Sequence, residues 1–171
     1  MSANGNGEAT IRILGIDPGL NVTGYGVIEI QCGRIKLCEA GVVRGTSGAS
    51  LVRRVHEIHE GVADVIESLR PGVVAIEELY SHYKRPRTAI LMGHARGVIC
   101  LAAAQHKLPV ESYAATQVKK IITGSGRAPK SQVQFAITRE LQLTAAPEPN
   151  DVADALAVAL CHHYSSNFVQ I

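Results

Sequence analysis

The 171 residues carry 46% hydrophobic and 19% charged side chains with a formal net charge of +2, the make-up of one globular domain with a substantial core. No uncharged apolar run reaches the ~18 residues of a membrane helix, and a charge so near neutrality gives no bulk signal for nucleic acid. The four cysteines, Cys32, Cys38, Cys100 and Cys161, form no C-x-x-C pair and lie in apolar segments, which reads as reduced, packed thiols in a cytosolic, cytoplasmic protein.

In chain order, residues 1–10 begin with "MSANGNGEA", which lacks the apolar stretch of a signal peptide and reads as a disordered tail. Residues 11–165 read as a single domain and 166–171 as a short C-terminal tail. "IRILGID" (Ile11 to Asp17) is short, β-branched and ends at Pro-Gly, the pattern of a buried strand and a turn. "GYGVIEIQ" and "RIKLCEAGVV", separated by "CG", predict two further strands in a meander. Leu51, Val55, Ile58, Val62, Val65, Ile66 and Leu69 share one helical face, and Arg70-Pro71-Gly72 stops that helix. "VVAIE" (Val73 to Glu77) is a core strand. Pro86 opens a second long helix reaching about His106 and rich in small residues. "LPVESY" gives a last strand, followed by helices over Ala115 to Ile122, about Ser131 to Leu141, and from an Asn150 cap to the end. Three meandering strands followed by strand–helix alternation predict an α/β domain, a mixed five-stranded sheet flanked by helices.

Four acids stand out against this frame. Asp17 and Glu77 each end an apolar strand, where an ionised carboxylate is costly without a counter-charge and where α/β folds gather their ligands. Asp151 and Asp154 lie one turn apart at the start of the last helix, ahead of "ALAVAL". Acidic residues there complement a helix dipole, worth about 0.3–1 kcal/mol each. Convergence of all four on one point has another consequence. Their mutual repulsion would raise their pKa values, and a pair of divalent cations would relieve it. Oxygen-only ligands select Mg²⁺, with Mn²⁺ as a substitute, over Zn²⁺. Such two-ion sites suit phosphodiester cleavage. Glu77 and Glu78 alternate faces on a strand, so at most one joins the set, and Glu77 is the choice because Glu78 begins the exit from the sheet.

The blocks "ILGIDPGLNVTGYGVIE", "AIEELY", "GHARGVI", "YAATQVKKIITGSGRAPKSQV" and "DVADALAVALCHH", in this order, resemble the RuvC family of bacterial Holliday-junction resolvases. The resemblance spans Ile11 to His163. It implies an RNase H-like fold, a homodimer, and Mg²⁺-dependent symmetric nicking of four-way DNA junctions in recombination and repair, with two ions per subunit. It implies that Asp17, Glu77, Asp151 and Asp154 are the catalytic, metal-holding acids. Tyr80 matches the family's junction-opening aromatic residue, and Lys119 and Lys130 match lysines that approach the scissile phosphate. The motor proteins RuvA and RuvB are the implied partners.

"SHYKRPRT" adds Lys84, Arg85 and Arg87 beside Tyr80 and Tyr83, an interleaving of basic and aromatic residues suited to phosphates and unpaired bases. Lys119-Lys120 and Arg127 with Lys130 form a second basic cluster. "GSGR" lacks the G-K-[ST] of a phosphate loop. His56 and His59 read as surface residues, and His162-His163 as a cation at a helix end. The small residues Ala89, Gly93, Gly97, Ala102, Ala103 and Ala104 suggest that the second long helix builds a two-fold interface, with Gly97 and Ala103 as its test positions. Two other classes compete: an actin-like kinase using "DPGLNVTGYG" as a phosphate turn, for which 171 residues are too few, and a silent junction-binding protein, which would have no need of four acids.

Overall fold

The computed structural model describes residues 10–79 and 85–167. Strands β1 (Ile11–Asp17), β2 (Val22–Gln31) and β3 (Arg34–Arg44) lead into helix α1 (Leu51–Leu69). Strand β4 (Val73–Glu77), helix α2 (Pro86–Gln105) and strand β5 (Val110–Tyr113) follow, then helices α3 (Ala115–Thr123), α4 (Lys130–Glu140) and α5 (Asn150–Asn167). The sheet order is β3-β2-β1-β4-β5. β1, β2 and β3 pair antiparallel, while β1–β4 and β4–β5 are parallel. This is the mixed five-stranded sheet expected, and its parallel strands bring the ends of β1 and β4 to the same edge.

Side chains alternate across a strand, and here the alternation divides two cores. Leu14 and Ile16 of β1 pack with Val74 and Ile76 of β4 against Ile58, Val62 and Ile66 of α1 and Ile99 of α2. Ile13 and Ala75 face the other way, toward α3, α4 and α5. By the same period, Asp17 and Glu77 point to the α5 side. That helix is the most buried of the five: Val152, Ala153 and every residue from Ala155 to Cys161 are at most 4% exposed. Complete burial of Leu156 and Leu160 contributes about 1.5–3 kcal/mol each.

Several details differ from the sequence expectations. Asn150 is the first helical residue, and its Oδ1 accepts a 2.8 Å bond from Gln134 Nε2, tying α5 to α4. α1 follows its expected stripe except at Leu51, which is 39% exposed; the helix starts at the domain edge, where Ser50 caps it by accepting from the Arg53 amide. Cys32 and Cys38 are exposed rather than packed, because they lie at the β2–β3 turn and on the outermost strand. On α2, Ala102 and Ala103 are fully buried, so Ala103 belongs to the core and offers no outer surface. His56 pairs at the surface with Glu60, and His59 meets Gln105. His162 is not a terminal cation: α5 continues to Asn167, and burial lowers the ring's pKa while Nδ1 lies 2.7 Å from the Tyr113 hydroxyl.

Candidate active site

Asp17 leaves the sheet through a closed turn. The Thr23 hydroxyl, fully buried, donates to the Gly19 carbonyl at 2.7 Å and accepts from the Gly19 amide at 3.2 Å. Leu20, 4% exposed, plugs the turn into the core. The direction of the Asp17 carboxylate is therefore set by a packed loop.

Two glycines bring the other acids to it. Asp17 is paired across the ladder with Gly24. A Cβ at Gly24 would lie 2.1 Å from the Asp151 carbonyl oxygen, and one at Gly15 would lie 2.1 Å from that of Ala155. Only residues without side chains let the backbone of α5 rest on β1 and β2 so closely. The first turn of α5, with Asp151 and Asp154, is thereby seated over the end of β1. Glu77 comes in from the neighbouring strand, one residue past the Ile16–Ile76 pair. It is half-buried, whereas Glu78 is exposed.

The electrostatics follow from this crowding. Burial pushes the Asp17 carboxyl up to about 8, and Glu77, Asp154 and Asp151 add to the rise while Lys130 opposes it. Burial also raises Glu77, with Asp154 adding and Lys130 and Lys119 opposing. Lys130 Nζ lies 3.0 Å from Asp154 Oδ2, and that bond raises the lysine's own pKa. Glu77, Lys119, Lys130 and Asp154 line one cleft of about 150 Å³, floored by Val118, Val133 and Ala157. The four acids thus share one electrostatic field. Among the described residues, however, no three His, Cys, Asp or Glu side chains close on a common point as a ready metal cage.

Of the other sequence candidates, Arg85 and Arg87 are exposed at the start of α2. Tyr80 and Lys84, with Tyr83, lie outside the described residues, as do 1–9 and 168–171 of the two expected tails. The glycine seats of α5 were not anticipated. Their signal is present in the sequence, since a Gly inside a strand marks close approach of another backbone, and Gly15 lies in "ILGID" and Gly24 in "VTGYG". No described helix is long and apolar enough to cross a membrane.

Residues 13–162 match the family model described as crossover junction endodeoxyribonuclease RuvC. The crossover junction endodeoxyribonuclease RuvC of Rhodopirellula baltica is 57% identical over 155 residues, covering 91% of this chain and 87% of that protein. The same-named protein of Desulforamulus reducens is 45% identical, covering 91% and 96%. Among solved structures, Thermus thermophilus RuvC superposes with a TM-score of 0.85 at 33% identity, over 93% of this chain and 97% of that one. Its complex with Holliday junction substrate gives 0.87 at the same identity, over 93% and 96%. The yeast mitochondrial Holliday junction resolvase Ydc2, 12% identical with a TM-score of 0.62, shares the fold. The RNase H-like architecture is therefore present, and a match that runs through every strand and helix of the domain leaves one assignment: this chain belongs to the RuvC family of crossover junction endodeoxyribonucleases.

Proposed function

We propose that this protein is a structure-selective endodeoxyribonuclease that resolves four-way DNA junctions by symmetric, metal-dependent phosphodiester hydrolysis in recombination and repair. The observation that carries the reading is the placement of Asp17, Glu77, Asp151 and Asp154 at one sheet edge in a chain of this family.

The donor chemistry fits a hard divalent cation. A carboxyl held near 8 by burial and three acidic neighbours is an anion site without enough positive charge. Its donors are oxygens only, which suits Mg²⁺ or Mn²⁺. Asp17, Glu77, Asp151 and Asp154 would hold two such ions, drawing in carboxylates that now stand apart. When bound, the ions supply an activated water and stabilise the leaving oxygen.

The protein's own groups do the rest. The Asp17 turn and the buried α5 fix two sides of the acid cluster before DNA arrives. Lys130, 3.0 Å from Asp154, supplies positive charge to the metal-free cleft and is free to turn to the scissile phosphate once cations take over that role. Lys119 on the same wall orients a non-bridging phosphate oxygen. Lys84, Arg85 and Arg87 neutralise the backbone of a junction arm, and the Tyr80 ring stacks on a base at the opened crossover.

The junction has two equivalent strands to cut, which calls for a two-fold dimer. The outer face of α2 supports such an interface. Ile90 is 62% and Leu101 50% exposed. Gly97 has open space around it, and the three share a helical face at i, i+7 and i+11. RuvA and RuvB, the branch-migration motors, are the partners this reading assigns, within the cytoplasm.

The test is nicking of a four-way junction with Mg²⁺, against linear duplex. Asp17→Asn removes a charge and keeps the shape, so nicking is lost while junction binding, carried by basic residues, survives. Glu78→Gln stays active. An Asp17→Asn protein that nicks normally refutes the metal assignment.

A further inference from the structure

The carbonyl of Glu77 occupies an unusual place in the sheet. The amides of Val74 and Glu78 donate to the carbonyls of Pro109 and Tyr113 on the β5 side, at 3.0 and 2.9 Å. Backbone groups alternate along a strand, so those of Glu77 face β1. Extending the parallel register from Ile16–Ile76 makes the amide of residue 18 the donor due to the Glu77 carbonyl. Residue 18 is a proline, which has no N–H. The ladder between β1 and β4 therefore runs out of donors at the residue that carries a site carboxylate.

Arg96 of α2 fills the gap. Its Nη1 donates to the Glu77 carbonyl at 2.6 Å, and its Nη2 donates to Ser112 Oγ on β5 at 2.7 Å. One planar guanidinium thus joins α2, the last residue of β4 and the adjacent strand. Two donors in a fixed fork define a direction as well as a distance, which an ammonium does not.

We infer that Arg96 is a positioning residue for Glu77, replacing the amide that Pro18 lacks and so fixing how the Glu77 carboxylate is presented to the cations. The inference rests on the reading of Glu77 as a metal-holding acid. Arg96 touches no reacting atom. It also makes α2, whose outer face is the proposed subunit contact, a mechanical neighbour of the metal site.

The test compares Arg96→Met, Arg96→Lys and Glu77→Gln with the parent. Four quantities are measured: Mn²⁺ binding to DNA-free protein by electron paramagnetic resonance, the Mg²⁺ concentration for half-maximal nicking, junction affinity in EDTA, and Tm. Arg96→Met keeps the apolar stem. Its ion requirement rises roughly 10- to 100-fold, as for other residues that orient a metal ligand, while junction affinity in EDTA stays within a few-fold of the parent. Arg96→Lys, able to serve one oxygen at a time, falls between the two. A folded Arg96→Met with parental Mn²⁺ binding and Mg²⁺ requirement overturns the proposal. Should that variant not fold, Arg96→Lys decides alone, and a parental ion requirement overturns it. Glu77→Gln separates the two readings. If it binds Mn²⁺ and nicks as the parent does, the metal role of Glu77 has failed. If it is inactive while Arg96→Met is normal, only the role of Arg96 has failed.

Discussion

Gly24→Ala is the most direct probe of how α5 is seated. The added Cβ would lie 2.1 Å from the Asp151 carbonyl oxygen, 2.4 Å from its carbonyl carbon and 2.9 Å from its Cβ. Unbonded heavy atoms rest about 3.5 Å apart, so β2 and the first turn of α5 must separate by more than about 1 Å. The atoms in the way are backbone, which no rotamer change can move. Gly24 is not among the positive-φ glycines, so the effect is purely steric. Overpacking of this kind costs about 1–3 kcal/mol, and each kcal/mol lowers Tm by about 2–4 °C in a chain of this size. Nicking suffers more than stability, because a displacement of about 1 Å in a catalytic group can cost about 100-fold in rate. Single-turnover nicking of an end-labelled junction measures the loss, alongside Tm and junction affinity in EDTA, which stays near the parental value. Gly72→Ala, where the Cβ would meet one carbonyl oxygen at 3.8 Å, is the control. If Gly24→Ala is folded and nicks within a few-fold of the parent, the glycine seat does not position Asp151.

The raised Asp17 pKa gives the metal-free protein a pH-dependent stability. The folded chain keeps a proton up to about 8 that the unfolded chain loses near 4, so stability falls as pH rises between those values, by up to about 1.4 kcal/mol per unit, and levels off above. Thermal melts in EDTA from pH 5 to 8 will show this slope reduced in Asp17→Asn and in parent protein given Mg²⁺; an unchanged slope in the variant contradicts the cause assigned. Lys130→Ala removes the ammonium beside Asp154, so nicking slows and the salt dependence of junction binding falls by about one unit; parental values in a salt titration would make it mere surface charge. Gly97→Glu places a charge in open space on the outer face of α2, so light scattering should find a folded monomer that makes single, uncoupled nicks. A persistent dimer with paired nicking excludes that face as the interface.

What the sequence made legible follows from the range of each signal. α1 was readable because Ile58, Val62 and Ile66 repeat on one buried face, and the β2–β3 hairpin because "CG" separates two strand-like runs. The strand-end positions of Asp17 and Glu77 were legible because each closes an apolar run, whereas their sharing one face needed the parallel register of β1 and β4. α2 was not readable in the same way. Its small apolar residues lie all around the helix, so nothing local distinguishes Ala103, packed in the core, from Gly97, open to solvent. Asn150 looked like a cap because its chemistry suits one, but a long-range partner, Gln134, takes its oxygen. His162 looked like a helix-end cation because neither its burial nor the Tyr113 hydroxyl 49 residues away is visible along the chain. The role of Arg96 needed both the sheet register and the missing amide of Pro18, and neither is a local property.

α5 has one more consequence, and it concerns failure rather than turnover. Proteins open in cooperative units, and the elements with the most buried contacts open only with the whole fold. Asp17 and Glu77 ride on adjacent central strands, and Asp151 and Asp154 are borne by the helix packed over them, whose inner residues are almost wholly shielded from solvent. Lifting the body of α5 off those strands exposes its whole buried face, so the two pairs of acids part only when the core itself opens. For an enzyme that cuts DNA this acts as a safeguard. A half-melted molecule that still binds DNA, but presents an incomplete and less selective set of acids, has no free-energy basin in which to accumulate. Heating or denaturant should therefore extinguish nicking and the fold together, leaving no interval of loosened activity between them.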